Sequence, residues 1–392
     1  MVKLGDVLLK TSTIKWSYVE SDISFQYIDL TSVSRFTHKI TETNSINSDN
    51  APSRAQKIIR TGDVLFGTTR PTLNRFCVVE DTYNGQIAST GLCVLRANDE
   101  KILPKYIYYI LTTPRFVSYV EEKQRGTSYP AVTDSDVKGF ELDLPPLNEQ
   151  QRIVAKLDAA FEKIDRAIEM NVINAQNSEL LFTNSLEDIF SIYNTVHWQS
   201  RAVSDLGRVQ TGTTPKTSEK ANYGNYIPFI KPGDYMNDGT LNYQHDGLSE
   251  KGLRSGRLIP ANSVLMVCIG ATITKVGYSD REVSCNQQIN AVSLDDELMS
   301  KFVYYQMKTS SFKSKILNEA PKTTLPIINK GKWSKLMLKI PPKDEVDNIV
   351  ASLSVLSDKS VSLRKLYSFK SVQLKLLKTS MLHEAFSESA VK

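Results

Sequence analysis

Small polar and basic residues are concentrated in seven short segments of the sequence. In chain order the segments are GTTRPTLNR (67–75), KQRGTSYP (123–130), TGTTPK (211–216), IKPGDY (230–235), GATITK (270–275), CNQQIN (285–290) and APKTTLP (320–326). Arg and Lys contact phosphates, Thr and Ser hydroxyls add hydrogen bonds, and Asn, Gln and Arg can pair with base edges. The same residue types are common in turns for conformational reasons, so each segment also has a purely structural interpretation.

The sequence gives little support for catalysis. It has no Gly-rich phosphate loop and no GxGxxG after a predicted strand, so no nucleotide or dinucleotide site is predicted. The segment DLPPL (143–147) is close to the methyltransferase tetrapeptide of Asp or Asn, two prolines and an aromatic residue. Leu144 is inserted, however, and the aromatic residue is missing. No histidine lies in a convincing nucleophile, base and acid arrangement.

The cysteines and histidines are not spaced as metal ligands. The four cysteines are Cys77, Cys93, Cys268 and Cys285. They form no CxxC pair, and the 4 histidines are scattered, so no metal site is predicted. The cysteines are predicted to be buried or free thiols, as is usual for unpaired intracellular cysteine.

Length and composition indicate a globular protein with two or three domains. The chain has 392 residues and 41% hydrophobic content, enough for real cores. The longest apolar runs are too short to cross a bilayer and the start MVKLGDVLLK is unlike a signal peptide, so we expect a cytoplasmic protein with no membrane partner. A net charge of +5 allows binding to nucleic acid without implying it.

An internal repeat determines the organisation of the chain. The segment YIYYILTTPRF (106–116) aligns with FVYYQMKTSSF (302–312) at an offset of 196 residues. The same offset relates PP at 145 to PP at 341, IV at 153 to IV at 349, and SLEDIF at 185 to MLHEAF at 381. Upstream, GDVLF at 62 matches NSVLM at 262, an offset of 200. The chain is therefore predicted to contain two copies of one unit of about 196 residues.

Each copy is predicted to begin with a mixed globular head. Short runs of Val, Leu, Phe and Cys bounded by Gly, Asn and Thr predict strands. These strands are 63–66, 75–79, 91–96 and 140–144 in the first copy, and 227–230, 263–269, 289–294 and 336–340 in the second. Helical periodicity predicts one helix over 106–119 and its counterpart over 301–317, with most of their tyrosines packed in the core.

Each copy is then predicted to end in a long helix. Residues 145–190 contain no Pro or Gly after Pro146 and are rich in good helix formers. Every seventh residue from Val154 to Ile189 is apolar, which is typical of a coiled-coil seam. About 44 helical residues span roughly 66 Å. The stretch 344–386 has a similar apolar stripe, so the two helices are expected to pair.

The second half of the first long helix carries polar residues where its first half has apolar ones. Asn171, Ser178 and Ser185 continue the row that begins with Leu157 and Ile164. We expect these three polar residues to face partner subunits more than the other helix.

We therefore predict an α/β (α+β) protein with an internal two-fold repeat. Its globular heads are residues 1–144 and 193–340, and its two long antiparallel coiled-coil helices lie in residues 145–192 and 341–392. An antiparallel pair is expected to place the heads at opposite ends.

The order of these elements and several motifs resemble a known family. The motifs are the junction LDLPPLNEQQRIVAKLDAAFEKID (142–165) and the second-head series TGTTPK, IPFIKPGDY, GATITKVG and CNQQINAV. With two heads each followed by a Pro-Pro helix, they resemble the DNA-specificity (S) subunit of Type I restriction-modification enzymes. The resemblance covers essentially the whole chain. The second junction, PPKDEVDNIVASL (341–353), departs from the first by having Asp344-Glu345-Val346 in place of Asn148-Glu149-Gln150.

The resemblance implies a non-catalytic subunit of a restriction system that also methylates DNA. Each head would be a target recognition domain for one half of a split, asymmetric double-stranded DNA sequence. The helices would space the heads and dock two methyltransferase (M) subunits, with which restriction and translocase (R) subunits can assemble. No cofactor is expected in this chain, since S-adenosylmethionine would belong to the M subunits and ATP and Mg²⁺ to the R subunits.

The candidate DNA contacts are taken from the polar segments. In the first head they are Thr68, Thr69, Arg70, Asn74, Arg75, Arg125, Thr127 and Ser128. In the second head they are Thr213, Thr214, Lys216, Lys231, Thr272, Thr274, Lys275, Asn286, Gln287, Lys322 and Thr323. The loop around Arg70 gives little reason to bury a guanidinium. Asn286 and Gln287 have an equally good structural interpretation as a turn at a strand end.

Two other classes of protein are compatible with parts of the sequence. A two-headed adaptor whose heads bind proteins would need the same repeat and the same long helices. A self-contained nuclease or methyltransferase with two lobes is disfavoured, because its phosphate loop, methyl-donor motif and metal cluster are missing from the sequence. Methylation or cleavage of DNA by the isolated chain would favour this enzyme interpretation.

Overall fold

The computed structural model describes residues 1–18, 22–192, 197–236, 239–320 and 325–387. Packing of the Cα atoms divides the chain into two compact units. Unit 1 comprises Met1–Met170 with Lys370–Lys392, and unit 2 comprises Asn171–Phe369. Each unit therefore contains one head together with part of each long helix.

The first head and the helix that follows it contain the elements β1 to β10 and α1 to α4. The strands are β1 (Val2–Lys3), β2 (Leu8–Leu9), β3 (Ser24–Ile28), β4 (Asn44–Asn47), β5 (Ala55–Ile58), β6 (Val64–Gly67), β7 (Phe76–Val78), β8 (Ile87–Ser89), β9 (Leu92–Ala97) and β10 (Glu141–Leu142). The helices are α1 (Pro104–Thr112), α2 (Pro114–Lys123), α3 (Asp134–Lys138) and the long α4 (Leu147–Ile192).

The second head and the helix that follows it contain β11 to β19 and α5 to α10. The strands are β11 (Gln199–Ala202), β12 (Arg208–Thr211), β13 (Tyr223–Ile230), β14 (Gly247–Leu248), β15 (Ser263–Val267), β16 (Val276–Ser279), β17 (Ser284–Cys285), β18 (Ile289–Ser293) and β19 (Met337–Ile340). The helices are α5 (Val203–Leu206), α6 (Glu250–Ser255), α7 (Glu297–Lys308), α8 (Ser310–Glu319), α9 (Lys330–Ser334) and the long α10 (Lys343–Ser387).

The two heads share the strand order of their central sheet. The central sheet has the order β2-β9-β6-β7 in the first head and β12-β18-β15-β16 in the second, with antiparallel pairing throughout. A second sheet contains a parallel pair in each case, β3 with β8 and β13 with β17. The strand before each long helix pairs with the first strand of its head, β10 with β1 and β19 with β11. This common topology confirms the internal repeat.

The central strands are buried on both faces. Val64 and Phe66 of β6 belong to the core beneath the helices, whereas Leu65 between them belongs to the core facing the second sheet. Successive side chains of a strand point to opposite faces, so a strand with two covered faces needs a continuous apolar run. The segment VLM of the second head follows the same rule, with Leu265 facing the opposite core from its neighbours.

The predicted helix over 106–119 is interrupted in the structure, and its counterpart over 301–317 is interrupted at the equivalent residue. Thr113 ends α1 and caps α2, since its hydroxyl donates to the carbonyl of Ile110 at 2.7 Å and accepts from the N–H of Phe116 at 3.3 Å. Thr309 makes the same two bonds between α7 and α8. A buried threonine in an extended conformation therefore replaces the predicted continuous helix by two shorter ones.

The long helices are paired in an antiparallel manner within each unit. In unit 1, Lys378 of α10 contacts Asp165 of α4 at 2.6 Å, and Glu384 further along α10 contacts Lys156 earlier in α4 at 3.5 Å. In unit 2, the hydroxyl of Ser360 donates to the carbonyl of Ser178 at 2.8 Å. The expectation that Ser178 faces partner subunits is therefore wrong, because this residue lies against α10.

Candidate nucleic-acid interface

The two polar segments of the first head meet in the structure. The loop 67–75, between β6 and β7, lies against the loop 124–131, between α2 and α3. Thr69 forms a β-bridge with Ala131, and the N–H of Arg70 donates to the carbonyl of Pro130 at 2.7 Å. The N–H of Val132 donates to the carbonyl of Thr68 at 2.9 Å. Two segments about 55 residues apart in sequence thus form one surface.

Two of the first-head candidates have structural roles. The side chain of Thr68 is buried, and its hydroxyl donates to the carbonyl of Gly91 at 2.9 Å. The Nη1 of Arg75 donates to the carbonyls of Val33 at 2.6 Å and Leu30 at 3.1 Å. This guanidinium holds the loop after β3 against the central sheet.

The remaining first-head candidates lie at or near the surface of the paired loops. Thr69 is half-buried, whereas Arg70, Asn74, Arg125, Thr127 and Ser128 are exposed. The Nη2 of Arg125 contacts Asp136 at 3.2 Å. Hydrogen bonds from the hydroxyl and N–H of Thr133 lower the pKa of the Asp136 carboxyl, with a smaller contribution from Arg125. Arg125 is thereby tied to an anionic partner at neutral pH.

Tyr129 is a surface residue of this loop pair that was absent from the predicted set. Its side chain is 71% exposed, and the guanidinium of Arg70 lies over its ring, 4.9 Å from the ring centre. Exposed aromatic rings support stacking with bases and with arginine. The signal in the sequence was an aromatic residue next to a basic and hydroxyl-rich turn, in KQRGTSYP.

In the second head, the segment 211–216 meets the segment 285–290. The N–H of Gly212 donates to the carbonyl of Ile289 at 3.0 Å, and the N–H of Thr213 donates to that of Cys285 at 2.9 Å. A side chain at Gly212 would overlap the backbone of Cys285, so only glycine permits this approach. The hydroxyl of Thr214 donates to the Oε1 of Gln287, which is exposed.

The structure supports the turn interpretation of Asn286. Its side chain is buried, and its Oδ1 accepts from the N–H of Gln288 at 3.1 Å. Its own N–H donates to the carbonyl of Ile230 at 3.0 Å, which brings the segment 230–235 to the same place. Lys231 in that segment forms an ion pair with Asp246 at 2.7 Å.

The other second-head candidates lie either in the segment 211–216 or in the loop 267–275. Lys216 and Lys275 are exposed, whereas Thr213, Thr214, Thr272 and Thr274 are half-buried. Lys322 and Thr323 lie outside the described residues. Arg257, which was not predicted, is exposed. It lies beside the segment 211–216, because its Nη1 donates to the carbonyl of Thr211 at 2.7 Å.

The loop pair of the first head has a counterpart in the second head. Gly270 donates its N–H to the carbonyl of Pro326 at 3.0 Å, as Arg70 does to Pro130. The ends of the loops are also closed alike, since the N–H of Val267 donates to the carbonyl of Lys275 at 2.9 Å and that of Gly67 to Arg75 at 2.7 Å. The β-bridge between Ile269 and Ile327 corresponds to that between Thr69 and Ala131. The fold therefore presents different side chains on one conserved loop framework.

The four cysteines are free and buried, as predicted, and burial raises the pKa of each thiol to about 12. Among the described residues, His, Cys, Asp and Glu form no group of three or more that could hold a metal ion. None of the helices in the described part of the chain combines the length and the hydrophobicity that crossing a membrane requires.

The duplicated heads and their paired helices define a class of two-headed proteins built from one repeated unit. The chain belongs to the family described as the Type I restriction modification DNA specificity domain, which matches residues 1–174 and 195–367. The two matched regions correspond to the two copies of the repeat.

Relatives and solved structures of similar length agree with this assignment. The specificity subunit of the type I restriction enzyme HindI from Haemophilus influenzae is 24% identical over 372 residues, covering 76% of this chain and 81% of the relative. A structure from a study of complex assembly and conformational transition in the type I R-M system has a TM-score of 0.83 and 27% identity, covering 98% of this chain and 96% of that chain. The HsdS subunit from Thermoanaerobacter tengcongensis has a TM-score of 0.65 and 27% identity, covering 98% of this chain and 95% of that chain.

Proposed function

We propose that this chain is the sequence-specific DNA-recognition subunit of a Type I restriction-modification system and that each head reads one half of a bipartite, asymmetric target. The observation that carries the proposal is the shared loop framework, in which the Arg70–Pro130 and Gly270–Pro326 bonds recur while the side chains differ. A duplicated framework with divergent side chains is what two different half-sites require. Phosphate contacts from exposed lysines and arginines would position each head on the duplex, and base contacts would give it specificity.

The long helices provide surfaces for partner subunits in this proposal. In unit 2, α10 exposes Leu363, Leu366 and Phe369, and α4 exposes Leu180 and Leu181. Exposed apolar side chains grouped on one element are a common sign of a protein interface. We assign these surfaces to two methyltransferase subunits, with restriction and translocase subunits joining the same complex.

The chain itself is proposed to be non-catalytic. Methyl transfer would take place in the methyltransferase subunits with S-adenosylmethionine, and the restriction subunits would use ATP and Mg²⁺. No cofactor is assigned to this chain. The complex would act in the cytoplasm, where bacterial and archaeal DNA is found.

The proposal is tested with the complex of this chain and its cognate methyltransferase subunits. We expect sequence-selective duplex binding that weakens steeply as the salt concentration rises, because phosphate contacts release counterions. The methylome of cells with and without the chain should contain a bipartite target that disappears when the chain is deleted. A complex that binds duplexes without sequence preference at low salt contradicts the proposal. Specific capture of proteins by the heads, with no DNA selectivity, would support the adaptor interpretation instead.

The assignment of one half-site to each head is tested by exchanging a head. Replacing residues 197–340 with the second head of a relative should change one half of the methylated target and leave the other half unchanged. A chain in which the first head is exchanged instead serves as the matched control, since the opposite half should then change. A change in both halves after a single exchange contradicts the assignment.

A further inference from the structure

Arg70 occupies a backbone position at which the second head has glycine. Its φ is +49°, and the equivalent Gly270 has a φ of +95°. The left-handed region is disfavoured for any residue with a Cβ atom and is accessible to glycine. An arginine held in this conformation points to a role for its side chain, since a glycine would satisfy the backbone with less strain.

The guanidinium of Arg70 is held in place without a carboxylate partner. It lies over the ring of Tyr129 and donates through Nη2 to the carbonyl of Ser128 at 3.5 Å. Within the described residues, no carboxylate lies within ion-pair distance of it. By contrast, Arg125 in the same loop pair contacts Asp136, and Arg75 donates to backbone carbonyls. The Arg70 side chain is thus ordered by the Tyr129 ring, and its charge is not paired with an anion of the described chain.

We propose that Arg70 and Tyr129 form a base-reading pair, in which Arg70 recognises a guanine in the half of the target read by the first head. The two forked donors of arginine match the O6 and N7 acceptors of guanine in the major groove, and they do so in a fixed planar geometry that the flexible ammonium of lysine lacks. Stacking on Tyr129 limits the orientations of the fork before DNA is bound, so less conformational entropy is lost on binding. This inference rests on the proposed function and adds to it the base and the residue that reads it.

The second head lacks this pair. Gly270 replaces Arg70, and Leu325, which precedes Pro326 as Tyr129 precedes Pro130, replaces the tyrosine. Leu325 is exposed, so the second head presents an apolar side chain where the first head presents an arginine stacked on a tyrosine. The same loop framework therefore reads a different feature of the DNA in each head.

The test uses the complex of the full-length chain with its methyltransferase subunits and a set of duplexes carrying all four bases at each target position. Methylation rates are compared for the wild type, Arg70→Lys, Tyr129→Leu and Tyr129→Phe. Arg70→Lys should reduce the preference for guanine at one position of the first half by about 5- to 150-fold, the range expected for one bidentate contact. Tyr129→Leu should weaken the preference at the same position, and Tyr129→Phe, which keeps the ring, should retain it.

A second exposed arginine and aromatic pair in the same head supplies the control. The guanidinium of Arg35 lies 4.6 Å from the ring centre of Phe36, and Phe36 is 79% exposed. Arg35→Lys should leave the base preferences unchanged. The unaltered second-half preference of each variant reports that the complex is folded and assembled.

The possible results separate this inference from the proposed function. The inference is overturned if Arg70→Lys leaves all preferences unchanged, relaxes a position that is not guanine, or alters the second half. It is also overturned if Arg35→Lys relaxes the same position to the same extent, since the loss would then follow from replacing any exposed arginine of the head and would not be specific to Arg70. A wild-type complex without sequence-selective methylation would contradict the proposed function itself.

Discussion

Arg96 and Asp63 form a buried, bidentate ion pair at the centre of the first head. The Nε and Nη2 of Arg96 donate to the two carboxylate oxygens of Asp63 at 2.8 and 2.7 Å, and the Asp63 side chain is 2% exposed. At the equivalent register of the second head, the hydroxyl of Ser263 donates to that of Ser293 at 2.7 Å. The equivalent strand pairs are therefore joined by an ion pair in the first head and by a hydrogen bond between two neutral hydroxyls in the second.

Removal of one partner of this ion pair should destabilise the first head. Arg96→Ser leaves the Asp63 carboxylate buried without its cation, which typically costs about 3–5 kcal/mol of unfolding free energy. Asp63→Ser/Arg96→Ser, which copies the second head, should recover part of the loss, because no charge is then left unpaired. Hydrogen exchange of the β6 and β9 amides measures the effect in the first head alone. Equal losses in the single and the double variant would contradict this explanation.

Arg75 and Lys275 occupy equivalent loop ends and should respond differently to mutation. Arg75→Ala removes charged hydrogen bonds to backbone carbonyls and should lower the free energy of unfolding by about 1.5–3 kcal/mol. Lys275→Ala, at an exposed position, should change stability by less than about 0.5 kcal/mol. In the complex, Lys275→Ala should reduce the slope of log affinity against log salt by about 1 if Lys275 contacts a phosphate. An unchanged slope would remove Lys275 from the predicted contacts.

The stability of the first head should depend on the protonation of His38. Burial lowers the pKa of His38, the nearby Lys378 lowers it further, and a hydrogen bond with the Phe76 backbone opposes the shift. Because the folded protein binds this proton less readily than the unfolded chain, stability is greatest above the usual histidine pKa of 6.5 and is lost as the pH falls below it.

The His38→Asn variant tests this pH dependence. Asparagine tolerates the positive φ of 51° at this position, so the substitution avoids new backbone strain. Unfolding of the wild type and the variant is measured from about pH 7.5 to about pH 5.5, a range that spans the ordinary histidine pKa. The difference in free energy between them should shift in favour of the variant as the pH falls. A difference independent of pH would show that His38 does not titrate in this range.

The length of the paired helices should determine the unread gap between the half-sites. Four residues inserted after Glu169 in α4 and four after Lys370 in α10 lie between the contacts Asp165–Lys378 and Ser178–Ser360, so both contacts keep their register. The insertion adds about 6 Å of helix. At about 3.4 Å per base pair, the methylated target should gain one or two base pairs in its gap.

An insertion in α4 alone is the control for helix length. It changes the register of the helix pair and should therefore lower the melting temperature. The methylated target should then show no single, longer gap between its halves. A paired insertion that is stable but leaves the gap unchanged would show that the helices do not set the spacing.

Leu366 and Phe369 should contribute to methyltransferase binding. They are 44% and 60% exposed on α10, so Leu366→Glu and Phe369→Glu should have little effect on the stability of the isolated chain. Loss of one buried apolar contact should weaken binding of the methyltransferase subunit by about 10- to 150-fold. Ser368→Glu, which introduces the same charge at an exposed polar position of the same helix, is the matched control. Equal weakening by all three variants would indicate a charge effect.

Much of the fold follows from local patterns. The long helices observed at Leu147–Ile192 and Lys343–Ser387 begin and end within a few residues of their predicted bounds, because composition and periodicity are properties of the helix itself. The predicted strand runs also match observed strands. The breaks at Thr113 and Thr309 were missed, since helical periodicity continues through them and the capping bonds depend on side-chain rotamers.

The sequence by itself determined the repeat, the family, the paired helices and the chemical character of the loops, because these depend on residue types and spacing along the chain. Only the tertiary structure decided which polar loop residues are exposed. Thr68 and Asn286 are buried in turns, Arg75 is held by backbone carbonyls, and Arg70 is stacked on Tyr129. These outcomes depend on hydrogen bonds and packing between segments far apart in sequence, which local patterns do not record.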